Sequence, residues 1–187
     1  QNLFSNVLLS GLPGVGKSSL ARAVVEQVLS MGWTVRWASC DSDTDAAGVG
    51  RMWLGEGAPS SPSAIIGASD SPRTLLVLDE AQELHPRHAA GVAELLDEAS
   101  PGNSSLLAVS RSPSPFGLPE GFSEFKLEGL ALEHARSLLP SETDSATARS
   151  VAEALGGHPL ALRLWSPDEE VPERGVAVQE YVESTVM

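Results

Sequence analysis

Apolar positions along the chain alternate between short continuous runs and helical stripes. Residues 6–10, Asn-Val-Leu-Leu-Ser, form the first run. Ala21, Val24, Val25 and Val28 then recur at i, i+3, i+4 and i+7, which places them on one face of a helix over 18–29. Gly32 follows as its stop. Residues 34–39 predict a strand with Val35 and Trp37 on one side. The runs Thr-Leu-Leu-Val-Leu at 74–78 and Ser-Leu-Leu-Ala-Val at 105–109 lack alternation. Such runs fit strands covered on both faces, as in a parallel sheet between helical layers. Between them, Ala89, Val92, Ala93 and Leu96 predict a helix over 86–99, and Pro101-Gly102-Asn103 a turn. A Pro/Ser-rich loop over 112–120 leads to a short strand near 124–127. Residues 41–72 are rich in Asp, Ser, Gly and Pro, with apolar islands at 49–54 and 64–66; they predict mostly loop with one or two helical turns.

The texture changes after residue 130. Helices are predicted over 132–139, 146–155 and 159–165, then a polar linker over 166–175 and the start of a further helix in 176–186. The pattern predicts an α/β part over 1–130, with a parallel central sheet and right-handed crossovers, and a small helical part over 131–187. No apolar run approaches a membrane span, and no signal peptide is visible. Cys40 is the single cysteine, which excludes an internal disulfide framework and a cysteine zinc site. It is expected as a small residue at a strand end, in a cytoplasmic setting. The first residue is Gln1, so a piece of a longer chain is expected. The net charge of −13 repels nucleic-acid phosphates, and direct binding of DNA or RNA is not expected.

Candidate chemistry sits where the predicted strands end. Gly11-Leu12-Pro13-Gly14-Val15-Gly16-Lys17-Ser18 has the form Gly-x-x-x-x-Gly-Lys-Ser between a strand and a helix, the context a phosphate-binding P-loop requires. Glycines let the backbone wrap close to phosphate oxygens. The N–H groups of this stretch, through Ser19, would form an anion nest at a helix N-terminus. Lys17 would reach the β- and γ-phosphates, and the Ser18 hydroxyl would sit on Mg²⁺. Lysine is scarce, two residues against ten arginines, which makes Lys17 more pointed. Asp79, after an apolar run, is placed as the acid on the Mg²⁺ side, and Glu80 as a general base for an attacking water. The bland alternative is a carboxylate pair opening the next helix. Arg111 offers a planar fork of donors to a terminal phosphate, or is simply a surface arginine. In parallel sheets ligands sit at the C-terminal strand ends, so these groups are expected to converge. His85, His88, His134 and His158 show no persuasive ligand spacing; His85 and His88 beside Glu83 fit a solvated helix start better than a metal site.

Taken together, GLPGVGKS at 11–18, LLVLDE at 75–80, Ser110-Arg111 after LLAV, and GHPLAL at 157–162 resemble the STAND class of signal-transduction ATPases. That class includes the NB-ARC proteins and lies near the AAA+ group. The resemblance spans residues 1–165, and GHPLAL is its most discriminating piece, since simple P-loop kinases and GTPases lack it. It implies a three-layer P-loop NTPase fold followed by a helical lid subdomain. It implies that the Arg-bearing strand lies between the P-loop strand and the acidic strand, with Arg111 against the γ-phosphate and Pro159 near the adenine. ATP or ADP with Mg²⁺ would be the cofactors, and Lys17, Glu80 and Arg111 would carry slow hydrolysis. ADP would hold a closed form, and ATP would permit opening and homo-oligomerisation. The sequence departs from the family at His158, where plant relatives commonly have Leu, and in the loop-like stretch 41–72, where the helical layer is expected to be thin. Residues 1–187 are not expected to hold a winged-helix, sensor or effector domain. Three rivals stay open: an AAA+ relative of the origin-recognition or transposition type acting with DNA, a small-molecule kinase, and a nucleotide-binding module without turnover.

Overall fold

The computed structural model describes residues 6–99, 102–173 and 177–186. Five strands form one parallel sheet: β1 (Asn6–Ser10), β2 (Thr34–Ser39), β3 (Thr74–Asp79), β4 (Ser105–Val109) and β5 (Phe122–Lys126). Their order is β2-β3-β4-β1-β5. Thus the strand that leads to Arg111 lies between the strand that leads to Gly11 and the strand that ends at Asp79, as expected. Leu8 pairs with Ala108 on one side and Glu124 on the other, and Val77 with Trp37 and Leu107. Helices form three of the crossovers, α1 (Lys17–Ser30), then α2 (Ala46–Leu54) and α3 (Pro62–Ser69) in succession, then α4 (Pro86–Glu98), while 110–121 joins β4 to β5 without one. After the sheet come α5 (Leu132–Ala135), α6 (Ser145–Ala154), α7 (Pro159–Leu164) and α8 (Val178–Val186). None of the described helices is long and apolar enough to cross a membrane.

The chain divides into two compact units. One runs to Ser10 and then over Lys17–Lys126; the other joins Gly11–Gly16 to the residues from Leu127 onward. In the first unit every residue of β3 and β4 is buried. One sheet face, with Leu8, Leu76, Leu78, Leu106 and Ala108, packs against Val49 and Trp53 of α2, Ile65 and Ile66 of α3, and Val92, Leu95 and Leu96 of α4. Burying each such aliphatic side chain contributes about 1.5–3 kcal/mol. The opposite face, with Val7, Leu9, Leu75 and Leu107, meets Ala21, Val24 and Val28 of α1 along an open apolar groove. The unit is therefore three-layered, with one helix on one side of the sheet and three on the other.

Three expectations need correction. Residues 41–72 are not mostly loop. The apolar islands are the core faces of α2 and α3, so the helical layer is present rather than thin. Trp53 is buried, and its indole N–H donates to Val77 O at 3.0 Å. Helices of eight or nine residues are not stable alone and are held by packing. Asp45 caps α2 by accepting from the Gly48 N–H at 2.7 Å. Second, α1 buries a narrower face than its periodicity suggests. Ala21 and Val28 are buried, but Val25 is half-buried and Val24 remains 37% exposed beside the open groove. Third, the helix predicted over 132–139 is only α5 followed by a 3₁₀ turn at Arg136–Leu138.

Pro101 of the predicted turn lies outside the described residues, but Asn103 and Ser104 are anchored. Asp70 accepts from the Asn103 N–H and side-chain amide, and from the Ser104 N–H and hydroxyl. Residues 174–176, which include the end of the predicted linker and the start of the predicted last helix, also lie outside them. The second unit has its own core of Ala135, Leu139, Val151, Leu155, Leu162 and Trp165, against which Val178, Tyr181 and Val182 pack. Asp144 caps α6 by accepting from the Ala146 and Thr147 N–H groups.

Candidate nucleotide-binding site

In the first unit a row of polar groups lines the C-terminal strand ends. Ser39 ends β2, Asp79 ends β3, and Ser110 and Arg111 follow β4. Lys17 and Ser18 open α1. Asp79 is 4% exposed. One of its carboxylate oxygens accepts from the Ser18 hydroxyl at 3.1 Å and from the Glu80 N–H at 2.9 Å. Its carbonyl accepts from the Cys40 N–H at 2.9 Å. A hydroxyl and a carboxylate oxygen this close are hard oxygen donors of the kind Mg²⁺ takes, so the residues present fit that ion.

Lys17 is buried. Burial, and then the positive charge of Arg111, lowers its pKa; Asp79 opposes them. An anion beside Lys17 would offset that repulsion. Arg111 is about half exposed; its guanidinium lies 3.4 Å from Glu83 Oε1, and its N–H donates to Gln82 Oε1 at 3.2 Å. The Ser110 hydroxyl is buried without a hydrogen-bond partner, at a cost of roughly 1–3 kcal/mol for such a group.

Glu80 does not open a helix. It stands at φ 57°, a left-handed conformation uncommon for a residue with a side chain, and leads into a 3₁₀ turn at Ala81–Glu83. Its Oε2 accepts from the Ser39 hydroxyl at 2.9 Å. The following helix is capped by His85, whose Nδ1 accepts from the Arg87 N–H. Among the described residues there is no group of three or more His, Cys, Asp or Glu side chains that could hold a metal ion.

In the second unit, Gly11, Gly14 and Gly16 of the loop all have positive φ. Space as well as conformation requires glycine at two of them. A Cβ on Gly11 would lie 2.6 Å from Leu127 O, and one on Gly14 would lie 2.7 Å from Leu160 Cδ2. Val15 is buried and Pro13 half-buried, while Ser19 is exposed on the first turn of α1, in the first unit. Pro159 is the first residue of α7, where its missing N–H costs nothing. His158 before it is 3% exposed. Its Nδ1 accepts from the Ala161 N–H at 3.3 Å, and its Nε2 lies 2.8 Å from Pro13 O. The turn thus touches the glycine loop within one unit.

Sequence reasoning missed two polar contacts, Ser39 to Glu80 in the first unit and His158 to Pro13 in the second. Ser39 carries the same signal as the other strand-end residues, a polar group closing a predicted strand. His158 shows no metal-ligand spacing in the sequence; its cue is the helix-cap position before a proline.

The sequence model of the ATPase family associated with various cellular activities (AAA) matches residues 7–117. No curated protein matches the chain. Among solved structures, a Signal Transduction ATPase with Numerous Domains (STAND) protein with a tetratricopeptide repeat sensor, from Pyrococcus horikoshii, aligns with TM-score 0.63 and 16% identity, over 97% of this chain and 30% of that one. RuvB of Thermotoga maritima aligns with TM-score 0.52 and 20% identity, over 86% and 52%. Drosophila ORC bound to DNA aligns with TM-score 0.50 and 18% identity, over 88% and 46%. At these identities the likeness is one of fold, and the chain spans about half or less of each of these structures.

Proposed function

Because the chain belongs to the ATPase family associated with various cellular activities, we propose that it is the nucleotide-switch domain of a STAND-like ATPase, with residues 131–187 as the start of its helical lid. The observation that supports this most is the packing of the GHPLAL turn on the glycine loop, through His158 on Pro13 O and Leu160 on Gly14. That turn is the most discriminating piece of the resemblance, since simple P-loop kinases and GTPases lack it.

In this proposal the backbone N–H groups of residues 11–19 hold the phosphates and Lys17 neutralises them. Mg²⁺ would be held by Ser18 and Asp79, and it supplies charge neutralisation at the phosphate oxygens when bound. Glu80 orients the attacking water and accepts its proton, while its Oε2 accepts from the Ser39 hydroxyl. Arg111 exchanges Glu83 for the terminal phosphate and so separates ATP from ADP. Pro159 stands near the adenine, and the ATP state favours homo-oligomerisation of the longer protein. A DNA-acting relative is the second possibility; the charge of −13 opposes it in this chain.

Isothermal titration with ADP and with a non-hydrolysable ATP analogue plus Mg²⁺ tests the proposal, with Arg111→Ala and Pro159→Ala in parallel. The expected result is that Arg111→Ala weakens the ATP analogue more than ADP, and Pro159→Ala weakens both. Equal losses on Arg111→Ala, with none on Pro159→Ala, would reject the switch and leave a plain nucleotide-binding module.

A further inference from the structure

We propose that His158 is a positioning residue for the phosphate loop: it holds the Pro13 carbonyl and thereby aims the Gly14 N–H at a bound nucleotide's phosphate chain. The inference rests on the nucleotide assignment above. It starts from the tautomer. The Nδ1 atom accepts from the Ala161 N–H, the third residue of α7, so it carries a lone pair and no proton. In a neutral ring the proton is then on Nε2, and Nε2–H donates to Pro13 O at 2.8 Å. Both ring nitrogens are used, one to cap a helix and one to hold a loop.

The second step is peptide geometry. The Pro13–Gly14 bond is trans and planar, so its C=O and N–H point in opposite directions. Fixing the Pro13 carbonyl on His158 turns the Gly14 N–H away from α7. It also keeps a carbonyl oxygen from facing the phosphates, where it would repel them. Gly14 stands at φ 75° and is exposed, and a Cβ there would meet Leu160 and His158 Cε1, so the loop lies directly on this turn. His158 itself is held in extended backbone by the proline that follows, at φ −69° and ψ 116°.

Two substitutions separate the two nitrogens. His158→Asn places an amide oxygen near the position of Nδ1, a good helix cap, and nothing near Nε2. His158→Gln places an amide nitrogen near Nε2 and leaves the cap unmade. The measurements are ADP affinity by isothermal titration, the melting midpoint without nucleotide, and the Gly14 amide resonance with and without ADP. His158→Asn is expected to weaken ADP binding by roughly threefold to tenfold, the worth of one ordinary hydrogen bond, and to reduce the ADP-induced shift of the Gly14 amide. His158→Gln is expected to melt lower yet bind ADP as the parent does. An Asn variant that binds ADP like the parent, or Asn and Gln variants whose affinities fall only in proportion to their melting midpoints, would overturn the inference alone. A parent that binds neither ADP nor ATP would overturn the nucleotide assignment, and the inference with it.

Discussion

Gly156 and Gly157 look equivalent in sequence, yet the structure predicts very different costs for replacing them. Both have positive φ, 56° and 66°, where they end α6. The Gly157 N–H reaches back to Ala152 O at 2.8 Å in the six-residue closure of a Schellman turn. An alanine at Gly156 would meet nothing within 4 Å. Its cost is the left-handed backbone alone, about 1 kcal/mol. A Cβ on Gly157 would overlap the backbone oxygen of Leu130, and no rotamer can move a backbone oxygen aside. Relief requires residues 129–130 to shift, which strains the hydrogen bond from the Leu130 N–H to Gly157 O at 2.8 Å. Adding overpacking and one lost hydrogen bond to the backbone term brings Gly157→Ala to about 4 kcal/mol. That is a large fraction of the stability of a small helical unit. Urea denaturation read through amide exchange of α6 and α7 measures both variants on the affected unit. Gly157→Ala within about 1 kcal/mol of Gly156→Ala would refute the reasoning and return the glycine pair to a simple helix stop.

Further outcomes follow from the site. Lys17→Ala should abolish the nucleotide-induced rise in melting temperature, which corresponds to ~2.7 kcal/mol at a hundredfold excess over Kd. Because burial and Arg111 already disfavour the Lys17 charge, the same variant should melt no lower than the parent without nucleotide. Glu80→Gln should leave ATP affinity intact and slow hydrolysis, while Ser39→Ala, which frees Glu80 Oε2, should not weaken binding; a phosphate-release assay beside titration checks both. The Cys40 thiol, pushed up from 9.0 to about 12 chiefly by burial, should resist thiol reagents at pH 8 until the chain unfolds. Since the unfolded thiol ionises first, the parent should lose stability between pH 9.0 and about 12 more steeply than Cys40→Ser.

The strands were legible because burial on both faces leaves an unbroken apolar run, as in β3 and β4. The helices were legible where apolar residues recur at helical spacing, as in α4 and α6, or where a glycine stop and a proline frame a short one, as in α7. In α2 and α3 the core contacts reduce to Val49, Trp53, Ile65 and Ile66, too few for a period to emerge from the surrounding Gly and Ser. The opposite error arose in α1, where a regular apolar stripe is only partly covered because that sheet face carries an open groove. Within the site, the glycine loop was readable as one contiguous motif. Ser39 and His158 were not, because their partners lie 41 and 145 residues away. No local pattern joins a strand-end serine to Glu80, or a helix cap to a loop carbonyl.

The polar groups at the strand ends differ in how firmly they are held, and this difference carries a functional argument. Asp79 is buried, and one of its oxygens takes two donors, from the Ser18 hydroxyl and the Glu80 N–H. Moving it would strand a carboxylate away from water, which is costly. Arg111 and Glu80 are held by exposed partners, Glu83 and Ser39. An exposed ion pair is worth about 0–1 kcal/mol, so a phosphate can displace Glu83 at little expense. The Ser110 hydroxyl, buried and unpartnered, already bears the cost of waiting for an acceptor or a water. The firmly held group therefore suits recognition common to both nucleotides, and the loosely held groups suit discrimination of the terminal phosphate. If Arg111 were as fixed as Asp79, Glu83→Ala would leave ATP affinity unchanged. On the proposal that Arg111 exchanges Glu83 for the terminal phosphate, Glu83→Ala should instead tighten ATP, with a smaller effect on ADP.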